Sequence, residues 1–370
     1  MSAAASYFLE TPPPTGVTGA LAMVRLSGDI DAACNALGLK SVNVGTVGLR
    51  RLERVDDALV MRWSEKDATV SVHAGAAAVE ALLGALTEAG LRRLDAPSPA
   101  EAFPDAIDVF EALALHTLIR AASPAADNLL LGQPARWRDW DGASPSLDEI
   151  RDVSASLNHL VDPPIVAVVG CVNVGKSTLT NALARGTVSV VSQEAGATRD
   201  HVGVTLELPL PSADVSRGDD AANRLVVRWF DTPGVSDTPG ADAPLADGAI
   251  ALSRDMLARA RMIVVCGDPQ TGFPAPADLD RLGVRQAVAR GVNLLRVATK
   301  SDLGAVPAPM DIAVSAQTNQ GVSELASQIA RALVPIRALA WRGPWLFDDR
   351  LLCHHSEHGC GPLADGANAT

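Results

Sequence analysis

Residues 165–178 constrain the fold of this chain more than any other stretch. They run IVAVVGCVNVGKST, an apolar segment of strand length followed by a loop that contains Gly170, Gly175, Lys176 and Ser177. A strand, a glycine-containing loop and a following helix are typical of a phosphate-binding loop, in which backbone N–H groups and the helix N-terminus bind a polyphosphate. We expect Lys176 to contact the β- and γ-phosphates and the Ser177 hydroxyl to bind Mg²⁺. A chance match to the motif is the alternative, and the strand and helix patterns around it argue against chance.

Two later segments supply groups for the metal ion and the γ-phosphate. The sequence DTPG follows the strand pattern at 225–230, so Asp231 is placed to hold Mg²⁺ and the Gly234 N–H to bond the γ-phosphate. Thr198, in the sequence EAGATRD, lies between the two motifs, where a second hydroxyl ligand for Mg²⁺ is expected. These positions predict a site for a nucleoside triphosphate and its metal ion.

Two segments further along the chain predict specificity for guanine. The sequence TKSD ends the apolar pattern at 292–298, and the Asp302 carboxylate can accept two hydrogen bonds from guanine that adenine has no donors to make. Ser315 and Ala316, after the strand pattern at 312–314, complete the base pocket. In this predicted GTP site the catalytic residues are Lys176, Thr198, Asp231 and Gly234, and the nucleotide-binding residues are Asn173, Val174, Gly175, Lys176, Ser177, Thr178, Thr299, Lys300, Asp302, Ser315 and Ala316.

Composition narrows the class of protein. A chain of 370 residues with 48% hydrophobic content is long enough for two or three domains. Because there is no signal-peptide pattern or membrane-length apolar run, we expect a soluble, cytoplasmic protein with no membrane partner. The five cysteines have no CxxC spacing, which fits a reducing compartment. A net charge of −12 without a dense Lys/Arg run does not signal tight RNA binding.

The patterns predict an α/β fold class, with a P-loop GTPase domain (a mostly parallel sheet with helices on both faces) preceded by a small α+β domain. In the first domain we expect strands at 20–26, 58–63 and 69–73 and helices at 29–37 and 76–89; without a catalytic motif, an interaction or dimerisation module is one interpretation. The predicted domains are an α+β domain at 1–118, a partly helical connector at 119–160, the GTPase domain at 161–338 and a tail at 339–370. The connector has helical patterns at 125–131 and 147–160, and the GTPase domain has them at 278–289 and 322–333.

Three polar segments have alternative interpretations. Residues 211–224 are expected to form a solvated hairpin loop, and residues 235–247 have the composition of a mobile switch. Two cysteines and three histidines lie between Cys353 and Cys360, close enough to hold a metal ion. Their spacing matches no established zinc pattern, so a polar tail without a metal is the alternative.

These motifs resemble the MnmE (TrmE) family of tRNA-modification GTPases, within the Era-like translation GTPases. The sequences GCVNVGKSTLTNAL and EAGATRD are similar to the family's GxPNxGKSSLLNAL and AGTTRD. Near the N-terminus, TPP and ALAMVRLSG resemble TPPG and AIVRLSG, and AFPDAID at 102–108 resembles AFLNGKIDL. The resemblance covers residues 9–118 weakly and 161–335 well, and it implies a folate-binding N-terminal domain followed by an inserted GTPase domain.

The resemblance implies further ligands and partners. Asn173 matches an asparagine that binds K⁺, which acts in place of an arginine finger across a dimer of GTPase domains. A homodimer, and tRNA or a tRNA-modification protein as partner, follow from the same resemblance. Val235 stands where many GTPases carry a water-orienting glutamine, and the family's switch glutamate has no counterpart at 241–248, where Asp247 is the available substitute. Among the folate contacts Arg25 is retained, whereas the acidic contact falls near Val70 or Ser71 and the lysine contact near Ala106.

Two departures from the family keep other functions open. The connector of about 40 residues is short for the family's helical domain, and the C-terminal sequence lacks the Cys-Ile-Gly-Lys motif. The leading interpretation is a Mg²⁺-dependent, K⁺-assisted GTPase linked to wobble-uridine modification of tRNA. The alternatives are a slow GTP-dependent switch or assembly factor that acts through a partner, and a paralogue that binds the nucleotide without using it.

Overall fold

The computed structural model describes residues 5–11, 20–53, 55–94, 98–103, 105–186, 191–193, 203–211, 222–232, 253–305 and 309–357. The chain divides into two compact units, residues 1–120 and 121–370. No helix within the described ranges is long and apolar enough to cross a membrane.

A six-stranded sheet forms the centre of the first unit. Its strands are β1 (Ser6–Leu9), β2 (Leu21–Ser27), β3 (Thr46–Leu52), β4 (Asp56–Arg62), β5 (Asp67–His73) and β6 (Arg92–Arg93). They lie in the order β3-β4-β5-β2-β1-β6, and every neighbouring pair is antiparallel except β1 and β6. The three strands expected from the sequence correspond to β2, β4 and β5, while β1, β3 and β6 were not predicted.

Helices of the first unit begin at residues that cap them. The helices are α1 (Ile30–Ala36), α2 (Ala76–Glu88), α3 (Pro99–Ala102) and α4 (Val109–Leu118). Asp29 accepts a hydrogen bond from the Ala32 N–H at the start of α1, and Ser98 forms a capping box with Glu101 at α3. Apolar side chains of α1 and α2, such as Leu82, share one buried core with the side chains of β2, β4 and β5. The two helices predicted here are confirmed to within a residue at each end.

A seven-stranded sheet forms the centre of the second unit. Its strands are β7 (Ile165–Gly170), β8 (Val191–Gln193), β9 (Gly203–Pro209), β10 (Arg224–Asp231), β11 (Met262–Gly267), β12 (Asn293–Ala298) and β13 (Ile312–Ala313). In the order β13-β12-β11-β7-β10-β9-β8, the first five are parallel, and β9 and β8 add antiparallel strands at one edge. This confirms the predicted α/β class with a mostly parallel sheet. Residues 212–221 of the expected hairpin loop lie outside the described residues.

Ten helices of the second unit fall in the described ranges, together with a 3₁₀ turn at Asn158–Leu160. They are α5 (Ala125–Leu131), α6 (Gln133–Asp139), α7 (Leu147–Leu157), α8 (Lys176–Gly186), α9 (253–259), α10 (Pro276–Leu282), α11 (Val284–Ala289), α12 (Val322–Leu333), α13 (Ile336–Leu339) and α14 (Arg350–Glu357). The single helix expected at 278–289 is wrong, because Gly283 has a φ of +85° and separates α10 from α11. Only glycine adopts this left-handed conformation readily, so it ends one helix and starts the next.

The connector and the C-terminal segment pack against each other. The Trp345 N–H donates to Gln133 Oε1 at 2.7 Å, and Trp137 Nε1 donates to the Trp345 carbonyl at 3.0 Å. Trp345 Nε1 donates to Asn158 Oδ1 at 2.7 Å, and the Trp345 side chain is fully buried. The sequence patterns gave no indication of this contact, which joins the connector and the C-terminal segment into one helical cluster.

The described part of the C-terminal segment shows no metal centre. No group of three His, Cys, Asp or Glu side chains within the described ranges is arranged to hold a metal ion. Cys353, His354 and His355 lie on α14, where the His355 ring packs 4.4 Å from the Trp140 ring. Cys360 and the third histidine, His358, lie outside the described residues.

Candidate nucleotide site

The loop between β7 and α8 has the conformation that phosphate binding requires. Asn173 has a φ of +62° and Gly175 a φ of +97°, so the backbone curls back tightly before α8 begins. A side chain at Gly170 would place a Cβ only 2.9 Å from the Cys266 carbonyl. Lys176 is 7% exposed, and its Nζ donates to the carbonyl oxygens of Gly170 and Cys171 at 3.2 and 3.0 Å. The lysine charge is therefore held directly over the loop.

Two oxygen groups meet beside this loop. Because β10 lies parallel to β7, with Asp231 paired to Val168, its C-terminal end is adjacent to the start of α8. Ser177 Oγ donates to Asp231 Oδ2 at 2.6 Å, and the other oxygen, Oδ1, is buried without a hydrogen-bond partner from the described residues. The Thr232 hydroxyl bonds the Val168 carbonyl at 2.7 Å, which fixes the end of the strand. A hydroxyl and a carboxylate with a free buried oxygen are a suitable donor set for a hard divalent cation.

The TKSD segment is bonded to the phosphate-binding loop. The Thr299 hydroxyl donates to the Val174 carbonyl at 2.6 Å and also contacts the Gly267 carbonyl at 3.1 Å. Lys300 Nζ donates to the Asn173 carbonyl at 2.7 Å. These contacts join the loop after β7 to the C-terminal ends of β11 and β12.

A pocket of about 230 Å³ opens between these two loops. It is lined by Gly175, Thr178, Leu179, Thr299, Lys300, Asp302, Leu303, Val314, Ala316 and Gln317. The volume is below the roughly 300–1,000 Å³ that is usual for a whole small-molecule ligand, so it suits one flat ring system with the rest of the ligand outside. Ser315 is fully buried behind the pocket, and its Oγ accepts a hydrogen bond from the Thr318 N–H at 3.1 Å.

The structure adds Asp268, which the sequence analysis did not identify. Asp268 follows β11 and is 1% exposed, and its Oδ2 lies 2.5 Å from Lys300 Nζ. Its other oxygen accepts hydrogen bonds from the Thr271 N–H and hydroxyl at 2.7 and 2.8 Å. Burial raises the pKa of this carboxyl, but the bonds from Lys300 and Thr271 outweigh burial and bring the pKa to about 2. A carboxylate directly after a buried strand, next to the TKSD strand, was the available signal.

Three residues predicted for the site lie outside the described residues. They are Thr198, Gly234 and Asp247, and the rest of the expected switch at 235–247 lies outside them too. Cys266 is fully buried beneath the loop, and burial raises the pKa of its thiol to about 12, so it packs as a small apolar side chain.

Comparisons with known proteins agree with this geometry. The sequence model of the 50S ribosome-binding GTPase family matches residues 165–296. The tRNA modification GTPase MnmE of Acidiphilium cryptum is 30% identical over 397 aligned positions, covering 90% of this chain and 82% of that protein. The MnmE proteins of Synechococcus sp. and Rhizobium meliloti are 30% and 25% identical and cover 70% and 84% of this chain, which spans 62% and 78% of theirs. The similarity therefore includes both units and is not limited to the phosphate-binding loop.

Proposed function

Because this chain belongs to the MnmE family of tRNA modification GTPases, we propose that it hydrolyses GTP to GDP and phosphate in support of wobble-uridine modification of tRNA. The observation that carries the proposal is the bonding of the phosphate-binding loop to the TKSD segment through Thr299 and Lys300. This arrangement supports recognition of a base and of its phosphates as parts of one ligand. Cytoplasmic tRNA as the substrate implies a cytoplasmic location.

The phosphates would lie over the loop at the start of α8. Lys176 would exchange its two bonds to loop carbonyls for bonds to the β- and γ-phosphates, which are stronger acceptors because they are charged. Ser177 and Asp231 would hold Mg²⁺, since their oxygens already meet and Asp231 Oδ1 has no partner from the described residues. A bound Mg²⁺ neutralises charge on the phosphate oxygens during transfer. Thr198 and Gly234 complete the proposed γ-phosphate contacts.

Guanine would occupy the 230 Å³ pocket. Asp302 lines that pocket and is exposed within the free protein, so its carboxylate can accept bonds from the base. Ala316 leaves room for the base edge, and Lys300 crosses to the phosphate-binding loop on the other side. A bound base would cover the Asp302 carboxylate, and adenine would leave that covered carboxylate unpaired, which would make the pocket selective for guanine.

Asn173 is proposed to bind K⁺ in a dimer of the GTPase domains. Its backbone carbonyl already accepts the bond from Lys300, while its side-chain amide makes no hydrogen bond to any described residue. The amide oxygen is thus available to a cation next to the phosphates, where positive charge favours transfer. Folate is left out of the proposed ligand set, because Arg25 is paired with Glu10 at 2.8 Å and both side chains are largely buried.

The proposal is tested by measuring GTP hydrolysis of the full chain in KCl and in NaCl. We expect faster turnover in KCl, loss of that difference in Asn173→Ala, and no change in Asn128→Ala, an exposed asparagine on α5. Fluorescent GDP should bind all three proteins equally, which separates hydrolysis from binding. Equal rates in both salts for the parent protein would contradict the K⁺ mechanism.

A second measurement tests the link to tRNA. We expect 5-substituted wobble uridines to decrease in tRNA from cells that lack this protein, as measured by mass spectrometry of the nucleosides. Unchanged nucleosides together with single-turnover hydrolysis as slow as that of an unassisted GTPase would instead indicate a GTP-dependent switch.

A further inference from the structure

An open cleft of about 590 Å³ lies at the N-terminal ends of the parallel strands in the second unit's sheet. It is formed where α7 and the 3₁₀ turn meet the first residues of β7 and β12 and the last residues of α12. The nucleotide site is at the C-terminal ends of the same parallel strands. These strands are six residues long, so roughly 20 Å separates the cleft from the nucleotide site, and a ligand in the cleft leaves that site free.

Four arginines from three separate parts of the chain line this cleft. Arg228 lies on β10, Arg259 ends α9, Arg261 precedes β11 and Arg290 follows α11. Asp162 is the one carboxylate residue in the lining formed by described residues. This concentration of positive charge occurs in a chain whose net charge is −12. It cannot be recognised in the sequence, because only Arg259 and Arg261 are close along the chain and Arg228 and Arg290 come from distant segments.

Three of these guanidinium groups have no ionic partner in the described parts of the chain. Arg259 pairs with Asp255 at 3.1 Å, whereas Arg228, Arg261 and Arg290 make no ion pair with any described residue. Arg228 Nε donates only to the Pro163 carbonyl, at 3.4 Å. Unpaired arginines in a shared concave surface repel one another, and a bound anion relieves that repulsion.

Neutral polar side chains line the cleft beside the arginines. Asn158 and Asn293 each donate through Nδ2 to a backbone carbonyl, those of Leu346 and Ala332, so each amide keeps one further N–H for a ligand. Ser156 contributes a hydroxyl at the end of α7. Arginine with asparagine and serine is the residue set that commonly contacts nucleic-acid phosphates and sugars.

We propose that this cleft, lined by Arg228, Arg259, Arg261 and Arg290, binds the phosphodiester backbone of RNA. Its openness and its four separate cations suit a run of phosphates better than one small anion enclosed on all sides. The choice of RNA rests on the proposed function, in which tRNA is the substrate. The cleft would then hold the RNA on the side of the sheet away from GTP.

The test is fluorescence anisotropy of a labelled, unmodified tRNA transcript with the full chain at several KCl concentrations. The double variant Arg261→Gln/Arg290→Gln should weaken binding about tenfold or more at low salt and reduce the slope of log affinity against log salt by about 1 to 2. Both side chains are exposed, so their replacement should preserve the fold. The control is Arg342→Gln, an exposed arginine of the same unit that makes no ion pair with a described residue and lies outside the cleft.

Three results would overturn the proposal. They are the absence of RNA binding by the parent protein at low salt, an equal loss in Arg342→Gln, and displacement of the RNA by an acidic peptide as readily as by unlabelled RNA. GTP hydrolysis is measured on the same samples. If hydrolysis is retained while cleft-dependent RNA binding is absent, only the cleft proposal fails; if RNA binds the cleft but GTP is not hydrolysed, only the proposed function fails.

Discussion

Replacing Asp268 with asparagine removes the negative charge that faces Lys300 and leaves the size of the side chain almost unchanged. The Thr271 N–H can still donate to the amide oxygen, but the amide nitrogen and Lys300 Nζ would then both be donors. Nothing in the described structure replaces the lost charge, because the remaining bond of Lys300 Nζ is to the Asn173 carbonyl. Asp268→Asn therefore tests whether this buried ion pair holds Lys300 for the nucleotide.

The size of the effect follows from the pKa of Asp268. Its decrease from 3.8 to about 2 corresponds to about 2 kcal/mol, since a tenfold change in proton affinity is worth about 1.4 kcal/mol. Because the folded-state pKa is lowered, this stability is present above pH 3.8 and is lost as the pH falls towards 2. At neutral pH we expect Asp268→Asn to lower the free energy of unfolding by about 2 kcal/mol, or the Tm of the second unit by about 4–8 °C. We also expect about tenfold weaker GDP binding, because Lys300 loses its orientation.

Asp280→Asn is the matched control. Asp280 likewise pairs with a basic side chain, that of Arg285, at 2.5 Å, but the Asp280 and Arg285 side chains are 37% and 75% exposed. Exposed pairs contribute at most about 1 kcal/mol and often nothing, so neither Tm nor GDP affinity should change appreciably. The measurements are calorimetry and titration with fluorescent GDP at neutral pH. If the two substitutions had equal effects on Tm and GDP affinity, or if Asp268→Asn had none, the idea that Asp268 orients Lys300 for the nucleotide would be refuted.

Two further predictions concern the helical cluster and the cleft. Trp345→Ala should destabilise the second unit by about 3–5 kcal/mol in urea unfolding, because it empties a fully buried site. Trp345→Phe should cost about 1–2 kcal/mol, because it loses the bond to Asn158. Similar losses for the two variants would show that packing is unimportant there. Burial, followed by the charge of Arg261, lowers the pKa of His159 below 6.5, while a bond to the Leu333 carbonyl acts in the opposite direction. As the pH first falls through 6.5, only the unfolded chain takes up a proton at His159, so stability should decrease below that pH. His159→Gln should flatten that part of the profile of Tm against pH. An unchanged profile would contradict the lowered pKa.

The nucleotide site was the most predictable part of the structure, because its residues lie in short contiguous motifs. Gly175, Lys176 and Ser177 lie in the short loop and helix start after β7, and Thr299 and Asp302 lie just after β12. The parallel sheet therefore brings them together at the C-terminal ends of these strands. Asp268 was missed because an aspartate after a strand has no motif of its own. Its role depends on Lys300, which is 32 residues away.

Elements outside these motifs were less predictable for different reasons. Gly283 lies inside a helical apolar pattern, and the pattern alone gives no indication that its backbone turns left-handed there. Strand β3 was missed because Val47 and Leu49 are 60% and 63% exposed and basic residues follow, so it has no clear buried face. The packing of Trp345 on Gln133 joins positions 212 residues apart, which no local periodicity can show.

That long-range packing also sets an order of events during synthesis of the chain. Trp137 is made 208 residues before the carbonyl to which its indole donates. At about 5–20 residues per second, the ribosome takes roughly 10–40 s to deliver that partner. During that interval Gln133 and Trp137 lack the partners that Trp345 provides in the folded protein. Helix α6 therefore reaches its final packing only after the C-terminal segment has been made.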